Sequence, residues 1–280
     1  MKIHILNCGY INIHKDLLYN GGNMASDLRK AVMAPASARV TLPVHAYLIE
    51  HPAGLFLVDT GWSRSVSPEG VYDPASVNKE LPRHLAAMYR PYVPKGQTVD
   101  EQLAAMGISP ADLSAVLITH LDPDHVSGLR TVRQAKHVII PEDEAYWSVR
   151  TKYRIRQPRD LWDIEEKERV FYRGHLLGPM HEAFDVTGDG SIMMVNIPGH
   201  TDGMAGVLVR NGGRFVLMAS DAAISARSWE KMEAPGYAAD HKLQYKTLRW
   251  IAEMAKDPGC AGIFCRHDPD PQLDQMTVTI

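Results

Sequence analysis

The sequence predicts a layered α/β fold, and three observations carry the prediction. Short β-type apolar runs alternate along the 280 residues with stretches of helical spacing. One early pair of runs reads as a hairpin. Five runs also end, at their carboxyl side, in His or Asp, which is where layered α/β folds line a ligand crevice.

In chain order, "VHAYLIEHPAGLFLVDTG" (44–61) reads as two strands joined by the turn residues 51–54, with β-branched and aromatic enrichment. "VDEQLAAMGISPADL" sets Leu103 and Met106 at helical spacing, stops at Gly107 and restarts at Ser109-Pro110. "SAVLI", "KHVIIP", "IMMVNIP", "RFVLMAS" and "GCAGIFC" follow as compact strand candidates. Residues 241–259 predict an amphipathic helix with Leu243, Tyr245, Leu248, Ile251, Ala252 and Ala255 toward one face, ended by Gly259. Two stretches resist this scheme and read as covers over a site. Residues 62–99 are rich in Pro and Gly and carry Trp62, Tyr72, Tyr89 and Tyr92, while residues 146–175 are dense in charges and aromatics. A solvated helical face is the equally weighted reading of the second. With no internal repeat or low-complexity tract, the expectation is one domain over 1–280.

Composition narrows the function classes. A hydrophobic content of 45% supports a substantial core, and a formal charge of -3 gives no bulk support for binding nucleic acid or an anionic membrane. No run approaches the roughly 18 apolar residues of a membrane span. The apolar N-terminal stretch, broken by His4 and Asn7, is too short for a signal peptide. Cys8, Cys260 and Cys265, odd in number and without CxxC spacing, predict reduced core thiols in a cytoplasmic protein. Monomer and homodimer both remain open.

The run ends carry the chemistry. "LFLVD" ends in Asp59, "AVLITH" in His120, "MVNIPGH" in His200, "FVLMASD" in Asp221, and "GIFCRHD" in His267 and Asp268. After His120 come Asp122, Asp124 and His125 within five positions. In an extended segment His120 and Asp122 point to the same side, and Pro123 starts a turn into a helix that carries Asp124 and His125. An unpaired polar cluster of this kind at strand ends would be costly without a cation. His120, Asp122, Asp124, His125, His200, Asp221 and His267 are therefore seven candidate ligands, too many for one tetrahedral ion but suited to two ions sharing a bridging carboxylate and water. Imidazole and carboxylate donors suit zinc, with manganese or iron as alternatives. "GHTDG" (199–203) has the outline of a nucleophile elbow, but the β-branched Thr201 fits that strained turn poorly.

"HLDPDH", "PGHTDG", "ASDAA" and "CRHDP", in that order, resemble the metallo-β-lactamase superfamily, whose pattern is HxHxDH followed by a His, an Asp and a late His. "LFLVDTG" is similar to the family's early strand and its orienting Asp. The spacing and the N-terminal hairpin resemble the N-acyl homoserine lactonase branch. The resemblance implies a four-layer αβ/βα sandwich with the site at the shared edge of two sheets. It also implies a first metal on His120, His200 and one further residue, a second on Asp124, His125 and His267, and Asp221 bridging. Two departures stand out: Asp122 replaces the motif's second histidine, and Ile224 stands where lactonases of this branch commonly carry a tyrosine, a role Tyr237 is a candidate to fill.

The expected activity is attack of a metal-bridging hydroxide on a lactone or ester carbonyl, with Asp124 both a ligand and a proton shuttle. N-acyl homoserine lactones are the leading substrates, in a quorum-quenching role. Trp62, Tyr89, Tyr146 and Trp147 are candidates to bind an acyl chain, although ordinary packing is the commoner use of such side chains. The alternatives are a diiron oxidoreductase, suggested by the oxygen ligand at Asp122, a phosphodiesterase, and a metal-binding regulatory protein without turnover.

Overall fold

The computed structural model describes residues 1–19, 21–22 and 24–280. Its strands are β1 (Lys2–His14), β2 (Arg39–His51), β3 (Gly54–Val58), β4 (Leu113–Leu117), β5 (Val138–Pro141), β6 (Lys167–Val170), β7 (Arg173–Gly174), β8 (Glu182–Asp185), β9 (Ile192–Asn196), β10 (Ala205–Asn211), β11 (Arg214–Ser220), β12 (Cys260–Cys265) and β13 (Thr277–Thr279). They form a seven-stranded sheet in the order β13-β1-β2-β3-β4-β5-β6 and a six-stranded sheet in the order β12-β11-β10-β9-β8-β7.

The sheets pack face to face. Ile3, Ile5, Tyr47, Ile49, Phe56, Val58 and Leu117 of the first meet Met194, Val207, Val209, Val216, Met218 and Phe264 of the second in one buried cluster. A second cluster joins the outer face of the first sheet, through Leu48, Leu57 and Val116, to Val77, Leu85, Met88 and Leu103 of the helices beyond it. The third joins Leu208, Leu217 and Ala219 to Leu248 and Ile251 of the helix His241–Met254. The result is the four-layer αβ/βα order, in which each sheet buries both faces.

Parallel pairing aims the chemistry. β3 and β4 run parallel in one sheet, β11 and β12 in the other, so their carboxyl ends deliver Asp59, His120, Asp221 and His267 to one edge. The helix His241–Met254 secures that edge with polar residues on its inward face. Gln244 donates to the Ala222 carbonyl at 2.7 Å, and the Thr247 hydroxyl donates to the Pro198 carbonyl at 2.8 Å. The hydrophobic periodicity therefore misplaced part of that face: Tyr245 is exposed, Gln244 and Thr247 are buried, and the helix ends at Met254. At the N-terminus of Val99–Ala105, Thr98 and Glu101 form a reciprocal capping box.

The two unassigned stretches each combine packed residues with solvated ones. Within 62–99, the helices Pro74–Glu80 and Arg83–Tyr89 cover the first sheet and Trp62 is fully buried. Within 146–175, Tyr153, Arg156, Gln157 and Trp162 are buried, while Tyr146 and Trp147 remain exposed. Cys8 and Cys265 are core thiols, but Cys260 is only half-buried, and all three are free. Among the described residues no helix is long and apolar enough to cross a membrane.

Gly61 fixes the turn that leaves β3 toward the site. Its φ is +66°, and a Cβ there would lie 2.1 Å from the Cβ of Cys8. Gly61→Ala is therefore expected to destabilise the fold by about 3 kcal/mol, from left-handed strain together with overpacking. A urea midpoint within error of the wild type would contradict this account of the turn.

Candidate metal centre

Five loops converge at the sheet edge, and the side chains they bring are almost entirely buried: His120, Asp124, His125, Asp221 and His267 are each 7% exposed or less. One ligand atom each from Asp124, His125, Asp221 and His267 lies within 4.8 Å of the others, and His120, His200 and Asp221 form a second such group. Asp221 belongs to both. In the first group, His267 Nε2 is 3.2 Å from Asp124 Oδ2 and 3.5 Å from Asp221 Oδ2, and His125 Nε2 is 3.6 and 3.4 Å from the same two residues. A tetrahedral ion with ligand bonds of about 2.1 Å holds its donors about 3.4 Å apart. The spacing fits such an ion.

The hydrogen bonding agrees with the spacing. His120 Nε2, His125 Nε2, Asp124 Oδ2 and Asp221 Oδ1 are buried with no hydrogen-bond partner among the described residues, a costly arrangement that a coordinated cation would relieve. The opposite ring edges are engaged instead. His125 Nδ1 lies 2.8 Å from Asp59 Oδ2, and His267 Nδ1 lies 2.8 Å from the Pro43 carbonyl. Contacts of this kind fix which nitrogen faces inward.

Electrostatics give the same picture. Burial and Arg266 act to lower His125, but Asp59, Asp221 and Asp124 outweigh them and push it up to about 9. Burial likewise acts to lower His267, and Asp221 and Asp124 push it up to about 10. Anions this closely gathered draw protons onto their histidines. A divalent cation would displace those protons, so its affinity falls as pH falls.

Asp59 itself makes no approach to the inner group as a ligand. Burial would raise its carboxyl, yet His125 and Arg266 hold it below the ordinary range. Its two oxygens also accept from the Thr119 amide and hydroxyl, both at 2.8 Å. Asp59, Ser220 and Tyr237 all have left-handed backbones, with φ of 57°, 50° and 61°. Such strain in non-glycine residues concentrates at functional sites.

Asp122 sits differently from the other six candidates. Its Oδ2 is 3.5 Å from His120 Nε2 and 3.3 Å from His200 Nε2, but both of its oxygens are held by Arg156. Arg156 Nε donates to Oδ1 at 2.7 Å and Nη2 donates to Oδ2 at 2.6 Å. Burial would raise the Asp122 carboxyl, and Arg156, His120 and His200 pull it well below the usual range. Arg156 came from the charge-dense stretch 146–175, where composition gives no sign of a buried guanidinium. Sequence reasoning also missed Arg266, beside Asp124 and Asp59, and Glu144, which accepts from the Leu121 amide, Gln157 and Thr201 and so ties the His120 and His200 loops together. That contact gives Thr201 a structural use.

An apolar cavity opens beside the cluster, bounded by Ile11, Leu17, Met88, Tyr89, Ile224 and Tyr237 and reaching His200, Asp221 and His267. Of the four aromatics expected to meet an acyl chain, Tyr89 lines it and Trp62 packs edge-on behind Tyr89 at 5.8 Å between ring centres. Tyr146 and Trp147 do not line it. They stand on the surface and pack against each other, with Arg150 over the Tyr146 ring. The Tyr237 hydroxyl is buried with no hydrogen-bond partner among the described residues.

A family model described as the metallo-beta-lactamase superfamily matches residues 39–259. Among curated relatives, the N-acyl homoserine lactonase AttM of Agrobacterium fabrum is 29% identical over 240 residues, covering 82% of this chain and 83% of its own. A probable metallo-hydrolase of Mycobacterium tuberculosis is 28% identical over 290 residues, covering 96% and 81%. Among solved structures, an N-acyl homoserine lactone hydrolase with N-hexanoyl-L-homoserine at its catalytic metal centre superposes with a TM-score of 0.72 at 18% identity, covering 95% of this chain and 93% of that one.

Asp59→Asn would leave the shape of the site and lose the negative charge that orients His125. Metal affinity is expected to fall about 10- to 100-fold, the usual scale for such outer contacts. Competition against a chromogenic chelator reads this directly, and unchanged affinity would remove Asp59 from the account.

Proposed function

The chain belongs to the metallo-beta-lactamase superfamily and is a metal-dependent hydrolase, and from that premise we propose that it opens a lactone or ester ring, foremost that of N-acyl homoserine lactones, in a quorum-quenching role. The observation that carries this reading is the meeting of unpartnered buried donor atoms with an apolar cavity in the same small volume. The likeness to AttM supports the substrate class.

One ion would be held by Asp124, His125, Asp221 and His267, and a second by His120, His200 and Asp221. Zinc suits this nitrogen-and-oxygen donor set, with manganese or iron as alternatives. Bound there, such ions supply an acidified water and a Lewis acid for the carbonyl oxygen. The residues of the chain do the rest. Asp124 accepts a proton at its carboxylate and returns it to the departing alcohol oxygen. Ile11, Leu17, Met88 and Ile224 exclude water and pack against an acyl chain. Tyr237, on a loop that lines the cavity, takes the role of the tyrosine that such lactonases carry at the position of Ile224, and donates a hydrogen bond to the substrate oxygen. The three free thiols accord with a reducing compartment, the cytoplasm.

The redox alternative leaned on Asp122 as an oxygen ligand. With that carboxylate engaged by Arg156, the hydrolytic reading is the stronger one.

Ring opening followed by acid release, across lactones of several acyl lengths, tests the proposal. Turnover is expected, is lost on chelation and returns with added zinc or manganese. Tyr237→Phe is expected to lower kcat roughly 100-fold, the scale for removing one donor to a developing oxyanion. Lack of turnover on every lactone and ester by metal-replete protein would sink the reading.

A further inference from the structure

We propose that Arg156 is a built-in cation that guards the His120 and His200 side of the cluster, so that the two metal positions load unequally. Asp124, His125, Asp221 and His267 take one ion tightly, and the other position fills only as Arg156 gives up His200. This rests on reading the cluster as a metal centre and is independent of the lactone substrate.

The conflict is one of lone pairs. Arg156 Nη2 lies 2.5 Å from His200 Nε2. A guanidinium only donates, so the nitrogen it meets must offer its single lone pair. That nitrogen is also the atom that faces Asp221 Oδ2 at 3.4 Å and would bind an ion there. One lone pair cannot serve both. Asp122, a further oxygen ligand within reach of His120 and His200, is equally committed, since Arg156 contacts both its oxygens.

Arg156 is no swinging surface arm. It is fully buried, its Nη1 donates to the carbonyls of His200 at 3.1 Å and Tyr237 at 2.7 Å, and it lies 4.4 Å from the centre of the Tyr237 ring. A metal at this side must therefore break a packed contact. The four-donor group meets no such obstacle, because Arg266 holds the backbone carbonyl of Asp124 and leaves Asp124 Oδ2 without a hydrogen bond. Charge points the same way. Asp122 pairs with Arg156, Asp59 and Asp124 lie beside Arg266, and Asp221 faces His125 instead, so among these four carboxylates and two guanidiniums two negative charges are left, which one divalent ion balances.

Metal-free protein titrated with Co²⁺, read by its visible absorption, tests the inference, with zinc content measured after dialysis against a zinc buffer. Wild-type protein is expected to hold one equivalent tightly and a second at least ~100-fold more weakly, the scale on which neighbouring groups tune metal affinity. Arg156→Met is expected to bring the two affinities within about tenfold, judged on the same scale. Because Arg156→Met leaves Asp122 as an unpaired buried carboxylate, the double variant Asp122→His with Arg156→Met provides a second route to the same comparison. Two wild-type equivalents of equal affinity would overturn the proposal whatever the variants do. So would a folded Arg156→Met and a folded double variant that still bind only one ion. Lactone turnover measured on the same samples separates this outcome from the substrate assignment: lost turnover with the expected stoichiometry counts against the substrate alone.

Discussion

The carboxylate of Asp59 is the constraint on which the site depends. It stands just past the end of β3, accepts from the Thr119 amide and hydroxyl at the end of β4, faces His125 Nδ1, and is 3.4 Å from Arg266 beyond the end of β12. One buried anion thus ties two strands of the first sheet to a strand of the second. Thr119 extends the tie, since its hydroxyl lies 2.9 Å from that of Ser220 at the end of β11 and its carbonyl accepts from Ala205 at the start of β10. If the two sheets shifted along each other, these contacts would break before the apolar layer between them lost much area. Apolar packing is non-directional, whereas a buried carboxylate must keep its donors.

That division of labour explains what could be read from the chain. The strands β2, β3, β4, β5, β9, β11 and β12 stand out because buried parallel or central strands are compact apolar runs bounded by Gly, Pro, Asn or Asp. β1 is less legible, since His4, Asn7 and Asn12 interrupt it, yet each is satisfied locally: His4 by Glu50, Asn7 by Tyr10 and Asp274, Asn12 by Thr41. β6 and β7 carry too many exposed charges to signal a strand at all. The helix His241–Met254 shows the same limit from the other side. Its inward Gln244 and Thr247 face backbone carbonyls of two site loops, and no periodicity rule anticipates a polar residue whose partner lies 20 or more positions away.

The site was legible to the extent that its donors end strands. His120, Asp124, His125, His200, Asp221 and His267 sit at or just beyond apolar runs, and the structure gathers them. Their neighbours were hidden. Arg156 and Glu144 are charged residues in stretches that resemble a solvated surface, and only three-dimensional pairing reveals that each is buried against several partners. A charge of this kind advertises itself in sequence only through its partner, here Asp122 in a position where the motif has histidine.

Arg156 and Arg266 show how the same side chain serves opposite ends. Both are buried guanidiniums beside an aspartate of the HLDPDH segment. Arg266 donates to the carbonyls of His45 and Asp124 and, at 3.4 Å, to the Asp59 carboxylate, so it supplies positive potential to Asp124 while leaving the Asp124 carboxylate free to turn inward. Arg156 contacts both oxygens of Asp122 and reaches past it to His200, so the carboxylate is consumed. The difference lies in which group of the neighbouring aspartate the planar fork meets, the backbone carbonyl of Asp124 in one case and the carboxylate of Asp122 in the other. A histidine at position 122 would be a poor match for that fork, because a neutral imidazole offers one lone pair and no charge. The aspartate and the arginine are thus a coupled pair, and the substitution within the HxHxDH pattern is intelligible only when both are considered together.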